Sequence, residues 1–401
     1  MRRVTTQELQ QASQDFFRGV QAVEAGQLHE AVQCFEAALA LAPGRPSVLV
    51  NLGLTHYRLG HHATALPLLQ QAAAVDAASA DAWAFLGLTH EALGQWQAGA
   101  DALQRALALA PAQAGLWLSL GRCLLQRNAV QAALRAFDQA VAAGPTLARA
   151  WSERGGLLRE LGRLPEAARC FEQALALGAD PALHSYYLAS VRGTNAPANP
   201  PRQYVEALFD AYASDFQQHL VGQLRYQAHE NLVRPLLRAN HRYHSVLDLG
   251  CGSGLCGQLL HGHADAIDGV DVSGAMLAQA RQLGVYRALA HAELGAFLAE
   301  SNRADDLVLA ADVFIYIGEL SEVFQQVRRM LRPAGCFAFS VELSPGGQDV
   351  HLLPSLRYAH SERYVLRLAQ THGFKLRNRF TAPLRHDQGA PVQGLYVVLD
   401  G

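Results

Sequence analysis

The chain has 401 residues, half of them hydrophobic, and a net charge of −2. That length exceeds one ordinary domain and supplies apolar side chains for two cores. The near-neutral balance leaves no electrostatic footprint for nucleic acid or an anionic membrane, and no apolar stretch reaches the roughly 18 residues of a membrane span.

The opening segment, MRRVTTQELQQ, lacks the apolar core of a secretion signal. Helical periodicity then sets in with a repeat of 34 residues. One column reads Gly19, Gly53, Gly87, Gly121, Gly155; another reads Gly26, Gly60, Gly94, Asn128, Gly162. A third holds small residues at Ala31, Ala65, Gly99, Ala133 and Ala167, and a fourth holds Ala38, Ala72, Ala106, Ala140 and Ala174. Between them runs Phe35, Leu69, Leu103, Phe137, Phe171. A fixed step of this length predicts stacked helical hairpins, each too thin to bury its apolar face alone. Small residues belong where paired helices approach closely, and the Phe/Leu column belongs in the core between hairpins. Asn128 fits its column because asparagine also visits positive φ.

These columns resemble the tetratricopeptide repeat family, with its opening aromatic at Trp83, Trp117 and Trp151 and its closing proline at Pro43, Pro111 and Pro145. Ala77 and Ala179 depart from the proline. The resemblance covers about residues 12–181 and implies an all-α solenoid whose concave face binds a protein or peptide partner. It implies no catalysis by the repeats themselves.

After the last repeat, ALHSYYLASVRG reads as a closing helix that shields the open end of the solenoid, so a first domain spans 1–192. Three prolines, a glycine and two asparagines at 193–203 read as a linker. Residues 204–239 regain helical periodicity, with Val205, Leu208, Phe209, Tyr212 and Phe216 on one stripe. From 245 the pattern alternates. Strands are expected at 245–250, 265–272, 285–290, 306–313 and 336–342, separated by helical stretches, and two consecutive strands close the chain. Such alternation predicts an α/β doubly wound, Rossmann-like domain over 204–401, with one antiparallel strand at or near the edge.

Ligands bind such sheets at the carboxyl ends of the strands. There the sequence VLDLGCGSG places Gly250, Gly252 and Gly254 where backbone can approach a ligand without Cβ interference. Asp271 ends the next strand, where a carboxylate can accept hydrogen bonds from both ribose hydroxyls. The same letters also satisfy GxGxxG at Gly252, Gly254 and Gly257, the dinucleotide fingerprint. Asp248 argues against that reading: a carboxylate beside a pyrophosphate is repelled, whereas a sulfonium or ammonium is welcomed.

With this loop the second half resembles the class I, seven-stranded methyltransferases, and the resemblance implies S-adenosyl-L-methionine as cofactor. DLGCGSG matches the family's glycine loop, including Cys251; GVDVSGAML matches its second-strand motif, with Asp271 as ribose acid and Val272 and Met276 beside the adenine. AEL matches the third motif, with Glu293 facing the adenine amino group and Leu294 next to it; LVLAADVFIYIG, with Ala311, matches the fourth. Residues 204–226 resemble the cover of the branch that carries fused repeats, which brings Tyr212 to the cofactor.

His360, Tyr316, Asp312 and His219 are the acid–base candidates. No Asn/Asp-Pro-Pro-Tyr follows the fourth strand, which speaks against methylation at an exocyclic base nitrogen or a glutamine amide. His61-His62 and His261 with His263 lack further ligands, so no metal is expected. Six cysteines without a CxxC pair suit a reducing compartment, and the cytoplasm is the expected location. Two functions follow. One is a methyltransferase whose repeats dock a protein or carrier-bound acceptor, with a small metabolite as acceptor and repeats for assembly as its variant. The other is an interaction scaffold with a silent cofactor-binding domain. A nicotinamide oxidoreductase is disfavoured by Asp248. Neither the acceptor atom nor the oligomeric state is written in the sequence.

Overall fold

The computed structural model describes residues 5–194, 196–202, 204–205, 208, 226–237, 242–387 and 389–401. They form two compact units, Met1–Ala179 and Asp180–Gly401. In the first, helices pair as hairpins: α1 Thr6–Glu24 with α2 Leu28–Leu41, α3 Pro46–Arg58 with α4 His62–Val75, α5 Ala80–Ala92 with α6 Trp96–Leu109, α7 Ala114–Gln126 with α8 Val130–Ala143, and α9 Ala148–Glu160 with α10 Leu164–Ala176.

The glycine column lets the helices of each hairpin touch. A Cβ added to Gly121 would stand 2.3 Å from the Phe137 ring, and one added to Gly19 would stand 2.6 Å from Phe35. Gly53 meets Leu69, Gly87 meets Leu103 and Gly155 meets Phe171 in the same way. Phe35 also shares an apolar cluster with Val48 and Leu52 of the next hairpin, so this column serves the hairpin and the stack together. In the turn column Asn128 takes φ 56°, where the other repeats place glycine at 70° to 77°. The tryptophans explain the loss of proline at Ala77. Trp83 Nε1 donates to the Ala77 carbonyl at 3.0 Å, just as Trp117 donates to Pro111 at 2.8 Å and Trp151 to Pro145 at 2.9 Å. The acceptor is main chain, so the side chain at that position is free to vary.

The second unit opens with α11, Pro181–Arg192, the helix expected to close the solenoid. It belongs instead to the second unit. Tyr186 is wholly buried in a cluster with Leu352, Leu356 and Tyr358, and its hydroxyl donates to the Leu356 carbonyl at 2.5 Å. The segment expected to be a linker is likewise engaged in this unit: the Ala198 carbonyl accepts the Gly318 N–H at 2.8 Å. Of the helical region expected at 204–239, the described part contains a short helix, α12, Ala228–Val233.

A nine-stranded sheet follows, with β1 Val246–Leu249, β2 Ile267–Asp271, β3 Ala288–His291, β4 Asp305–Ala310, β5 Leu331–Leu343, β6 Val350–Leu352, β7 Tyr358–His360, β8 Lys375–Asp387 and β9 Ala390–Asp400. Strands β3, β2, β1, β4 and β5 lie side by side and parallel. β9 adds antiparallel to β5 and β8 antiparallel to β9, so the antiparallel strand expected near the edge is one place in from it. The hairpin β6–β7 was not expected. It pairs with the last residues of β5, at Glu342 and Leu343. Between strands run α13 Leu255–Leu260, α14 Gly274–Gln282, α15 Leu294–Glu300, α16 Ser321–Met330 and α17 Glu362–Thr371.

Apolar residues cover both sheet faces, as a parallel sheet between helices requires. Leu247, Leu249, Phe337, Phe339 and Val397 pack with Val323, Phe324 and Val365 on one face. Val246, Cys336, Ala338 and Val398 pack with Leu232, Val233 and Leu260 on the other. All six cysteines are buried as free thiols. Among the described residues no helix is long and apolar enough to cross a membrane.

Gly121→Ala should lower the stability of the first unit by about 1–3 kcal/mol, the usual range for overpacking. Gly115→Ala, in α7 with no described residue within 4 Å of the added methyl, should leave it unchanged or raise it slightly. Urea denaturation of both variants checks this; equal losses would contradict the close-approach argument.

Candidate active site

β1, β2 and β4 end side by side, and the chain leaves β1 toward β2 on one side and returns to β4 on the other. This is the switch point where open α/β sheets hold ligands. The loop after β1 is compressed. A Cβ on Gly250 (φ 62°) would meet the Val313 side chain at 2.5 Å, and one on Gly254 (φ 95°) would meet Leu283 at 2.7 Å. Gly252 (φ 53°) differs, because among the described residues nothing lies within 4 Å of its Cβ position. Its N–H donates to Asp271 Oδ2 at 2.8 Å, while the Ser273 N–H donates to Asp271 Oδ1 at 2.9 Å. Asp271 thereby ties the loops after β1 and β2 together. Burial raises its pKa, and these N–H groups oppose the rise. Ser253, one residue on, is 4% exposed, and its hydroxyl has no partner among the described residues.

Asp248 sits beneath the loop, 1% exposed. The Tyr286 hydroxyl donates to its Oδ2 at 2.7 Å and accepts the Gly257 N–H at 3.2 Å. Burial pushes the Asp248 carboxyl up to about 7, partly offset by the Tyr286 bond. Cys251 is buried against Gly269, whose added Cβ would lie 2.7 Å from its Sγ. Burial raises its thiol pKa far above the ordinary range, which makes it a packing group. Met276 is 1% exposed in the first turn of α14, whose N-cap is Ser273. The Val272 carbonyl accepts His291 Nε2 at 2.8 Å.

Glu293 is the N-cap of α15. Its Oε1 accepts the Gly295 N–H at 2.9 Å and its Oε2 the Ala296 N–H at 2.8 Å. It is exposed, and both oxygens serve the helix terminus. Leu294 packs on the core as the first residue of that helix. The Ala311 carbonyl, after β4, accepts the Tyr226 hydroxyl at 3.3 Å.

The acid–base candidates separate. His219, like the cofactor candidate Tyr212, lies outside the described residues. Asp312 stands at φ 59°, an uncommon conformation for a side-chain-bearing residue, right after β4. Both its oxygens accept Arg385 Nη1, at 2.9 and 3.0 Å, while Arg385 Nη2 donates to Glu342 Oε2 at 2.5 Å. The guanidinium side chain is 3% exposed, Asp312 9% and Glu342 10%. Burial raises the Glu342 pKa, with Arg385 opposing. One guanidinium thus balances two buried carboxylates, and losing it would strand both, at a cost of about 3–5 kcal/mol. Sequence reading missed this trio, because its members lie on three strands or loops that are adjacent only in the sheet. Tyr316 closes the 3-10 turn Phe314–Tyr316, with its hydroxyl pKa raised by burial and opposed by Arg357.

His360 is not at an open mouth. It is wholly buried on β7, its Nε2 donates to the Gly318 carbonyl at 2.9 Å, and burial pushes its pKa down to about 4. A base for an incoming acceptor needs a lone pair facing that acceptor, and this ring faces packed protein. Among the described residues no three His, Cys, Asp or Glu side chains gather to hold a metal.

Residues 247–337 match the family model described as methyltransferase domain. Tetratricopeptide repeat models match residues 18–82, 50–114, 86–148 and 148–180. The chain therefore carries a tetratricopeptide-repeat array followed by a methyltransferase domain. It is 29% identical over 180 residues to the malonyl-[acyl-carrier protein] O-methyltransferase of Enterobacter lignolyticus (strain SCF1), covering 42% of this chain and 67% of that protein. It is 32% identical over 117 residues to the trans-aconitate 2-methyltransferase of Paracidovorax citrulli (strain AAC00-1), covering 28% of this chain and 44% of that protein. A crystal structure of MamA superimposes with a TM-score of 0.38 at 27% identity, covering 40% of this chain and 93% of MamA.

The raised Asp248 pKa has a signed consequence. Between its ordinary 3.8 and about 7, the folded state keeps a proton that the unfolded chain has released. Stability contributed by this group therefore falls as pH rises through that window. Relative to Asp248→Asn, the wild type should lose stability from pH 4 to 7 and run parallel to the variant above about 7.5. Urea midpoints at fixed ionic strength measure this; parallel curves throughout would contradict it.

Proposed function

We propose that the second unit is an S-adenosyl-L-methionine-dependent methyltransferase and that the repeat array docks a protein or carrier-bound acceptor. The observation that carries the cofactor assignment is the space that the described residues leave over Gly252, beside the Asp271 carboxylate and the Ser253 hydroxyl, which has no partner among those residues. A nucleoside needs such a cradle: backbone without a Cβ in the way and a carboxylate with lone pairs to spare for two hydroxyls. Asp248 supports a cationic ligand over a pyrophosphate, since a nearby positive charge favours its ionised form. Gly250, Gly254, Val272 and Met276 shape the cradle walls. Glu293 faces the adenine in this reading only through whatever lone pairs its helix cap leaves free.

When bound, the cofactor supplies an electrophilic methyl carbon on a sulfonium. The chain's own residues align and exclude. Oriented reactants gain up to about 7–11 kcal/mol over free encounter, and the buried Asp312–Arg385–Glu342 trio fixes the wall after β4. Asp312 and Tyr316 are the proposed acid–base groups at that wall, and they matter only for an acceptor that must shed a proton.

A tethered docking array raises the local concentration of its cargo, which favours a macromolecular acceptor. The relative named for a carrier-protein substrate supports this reading. The relative named for trans-aconitate supports the second one, a small acceptor with repeats used for assembly. The boundary at Ala179 and Asp180 is proposed as the division between independently folding parts.

Asp271→Ala should weaken S-adenosyl-L-methionine binding to the full chain by about 1–3 kcal/mol, the range for bonds to a charged group. Calorimetry checks it, and binding of a nicotinamide dinucleotide in its place would overturn the assignment. Removing residues 1–179 should raise KM for a docked acceptor with little change in kcat, because only uniform binding is lost. Unchanged kcat/KM toward the native acceptor would show that the repeats do not select it.

A further inference from the structure

Three consecutive residues after the Phe314–Tyr316 turn are held by groups from distant parts of the chain. The Ala198 carbonyl accepts N–H bonds from Gly318 at 2.8 Å and Glu319 at 3.3 Å. The Leu320 N–H donates to the Tyr364 hydroxyl at 2.9 Å. On its other side, the Gly318 carbonyl accepts His360 Nε2 at 2.9 Å. The Gly318 residue is thus gripped at both its N–H and its C=O. Space is as tight as the bonding: a Cβ on Gly318 would lie 2.8 Å from the Ala198 oxygen and 2.8 Å from the Tyr358 ring.

Each jaw of this grip is itself anchored. Tyr358 donates its hydroxyl to the Pro197 carbonyl at 2.7 Å, which fixes the segment that carries Ala198. That segment follows α11, whose Tyr186 is buried against Tyr358 and Leu356. His360 lies stacked on Tyr364, with ring centroids 5.8 Å apart and planes 17° from parallel. Burial keeps its imidazole neutral at ordinary pH, and a carbonyl acceptor requires the proton on Nε2.

What is gripped is the loop between β4 and α16. It carries Asp312, bound to Arg385; Val313, whose side chain meets Gly250 across the site; and Tyr316. We infer that His360 and the main chain at Pro197–Ala198 form a positioning clamp that sets the 311–319 loop against the glycine loop. His360 acts through Gly318, two residues beyond the turn, and touches neither cofactor nor acceptor. The segment whose composition reads as a linker is one jaw of this clamp. The effect on the site rests on the proposed cofactor reading; the clamp itself does not.

The test uses the full chain with His360→Leu, His360→Gln, Tyr358→Phe and Gly318→Ala. Hydrogen exchange followed by mass spectrometry reads peptides covering 311–320, and calorimetry reads S-adenosyl-L-methionine affinity. Glutamine places an amide donor near the position of Nε2, whereas leucine removes the donor. His360→Leu and Gly318→Ala should speed exchange in 311–320 by about tenfold, the scale of one lost hydrogen bond. His360→Gln should restore slow exchange. Tyr358→Phe, which keeps the ring, should speed exchange in peptides covering both 196–199 and 311–320. Cofactor affinity should fall several-fold for leucine and recover for glutamine. Exchange in 311–320 that stays within about twofold of wild type in both His360→Leu and Tyr358→Phe overturns the clamp. So does a loss that glutamine fails to rescue in a variant of unchanged melting temperature. If the wild type binds no S-adenosyl-L-methionine, the cofactor reading fails while the exchange result still decides the clamp.

Discussion

Three parallel strands that end side by side leave their exit loops very little room, and the architecture of the second unit answers to that crowding. The loop after β1 fits because Gly250 lets Val313 approach and Gly254 lets Leu283 approach. The Asp271 carboxylate then locks it by accepting the Gly252 N–H and the Ser273 N–H together. One acidic side chain thus does for two loops what a helix cap does for one terminus.

Charge burial organises the opposite wall. Arg385, on β8, donates to both Asp312 and Glu342, and all three side chains are almost wholly buried. Such groups contribute little net stability compared with apolar packing, and their role is to fix geometry. Here they hold Asp312 in a left-handed conformation next to the glycine loop. A second set, Asp268 and Asp305 bridged by Arg303, lies at the far ends of β2 and β4 and stitches the sheet where no ligand is expected.

The first unit works by a different rule. Each hairpin repeats one contact, glycine under Phe or Leu, and passes its apolar surface to the next. Stability in such an array is close to a sum over neighbours, so the tolerance at Ala77 is local: Trp83 still finds its carbonyl. Charged partners also cross between repeats, as in Arg122 with Glu91 at 2.7 Å. These pairs tune a surface that the packing columns leave unspecified.

The sequence by itself determined what depends on local chemistry and period. The 34-residue columns, the alternation of strands and helices, the glycine loop and Asp271 are legible because each reports a short-range constraint: a close approach, a turn at positive φ, or a strand buried on both faces. Tertiary structure alone decided the rest. Helix α11 is apolar on one face whichever unit it joins, and only the Tyr186 cluster assigns it. Prolines at 193–203 mark a break after α11 but do not say what the carbonyls of that segment bind, and Ala198 binds Gly318. Glu293 satisfies a methyltransferase motif and a helix cap with the same letters, and in the fold its oxygens go to the cap. His360 looks like a base in a sequence and is a buried donor in the sheet, because β7 turns it inward. For Glu293 the deciding partners are the N–H groups of Gly295 and Ala296, two and three residues on; for α11, Ala198 and His360 the deciding partner is more than a hundred residues away or the deciding quantity is burial, and neither is written in the neighbouring residues.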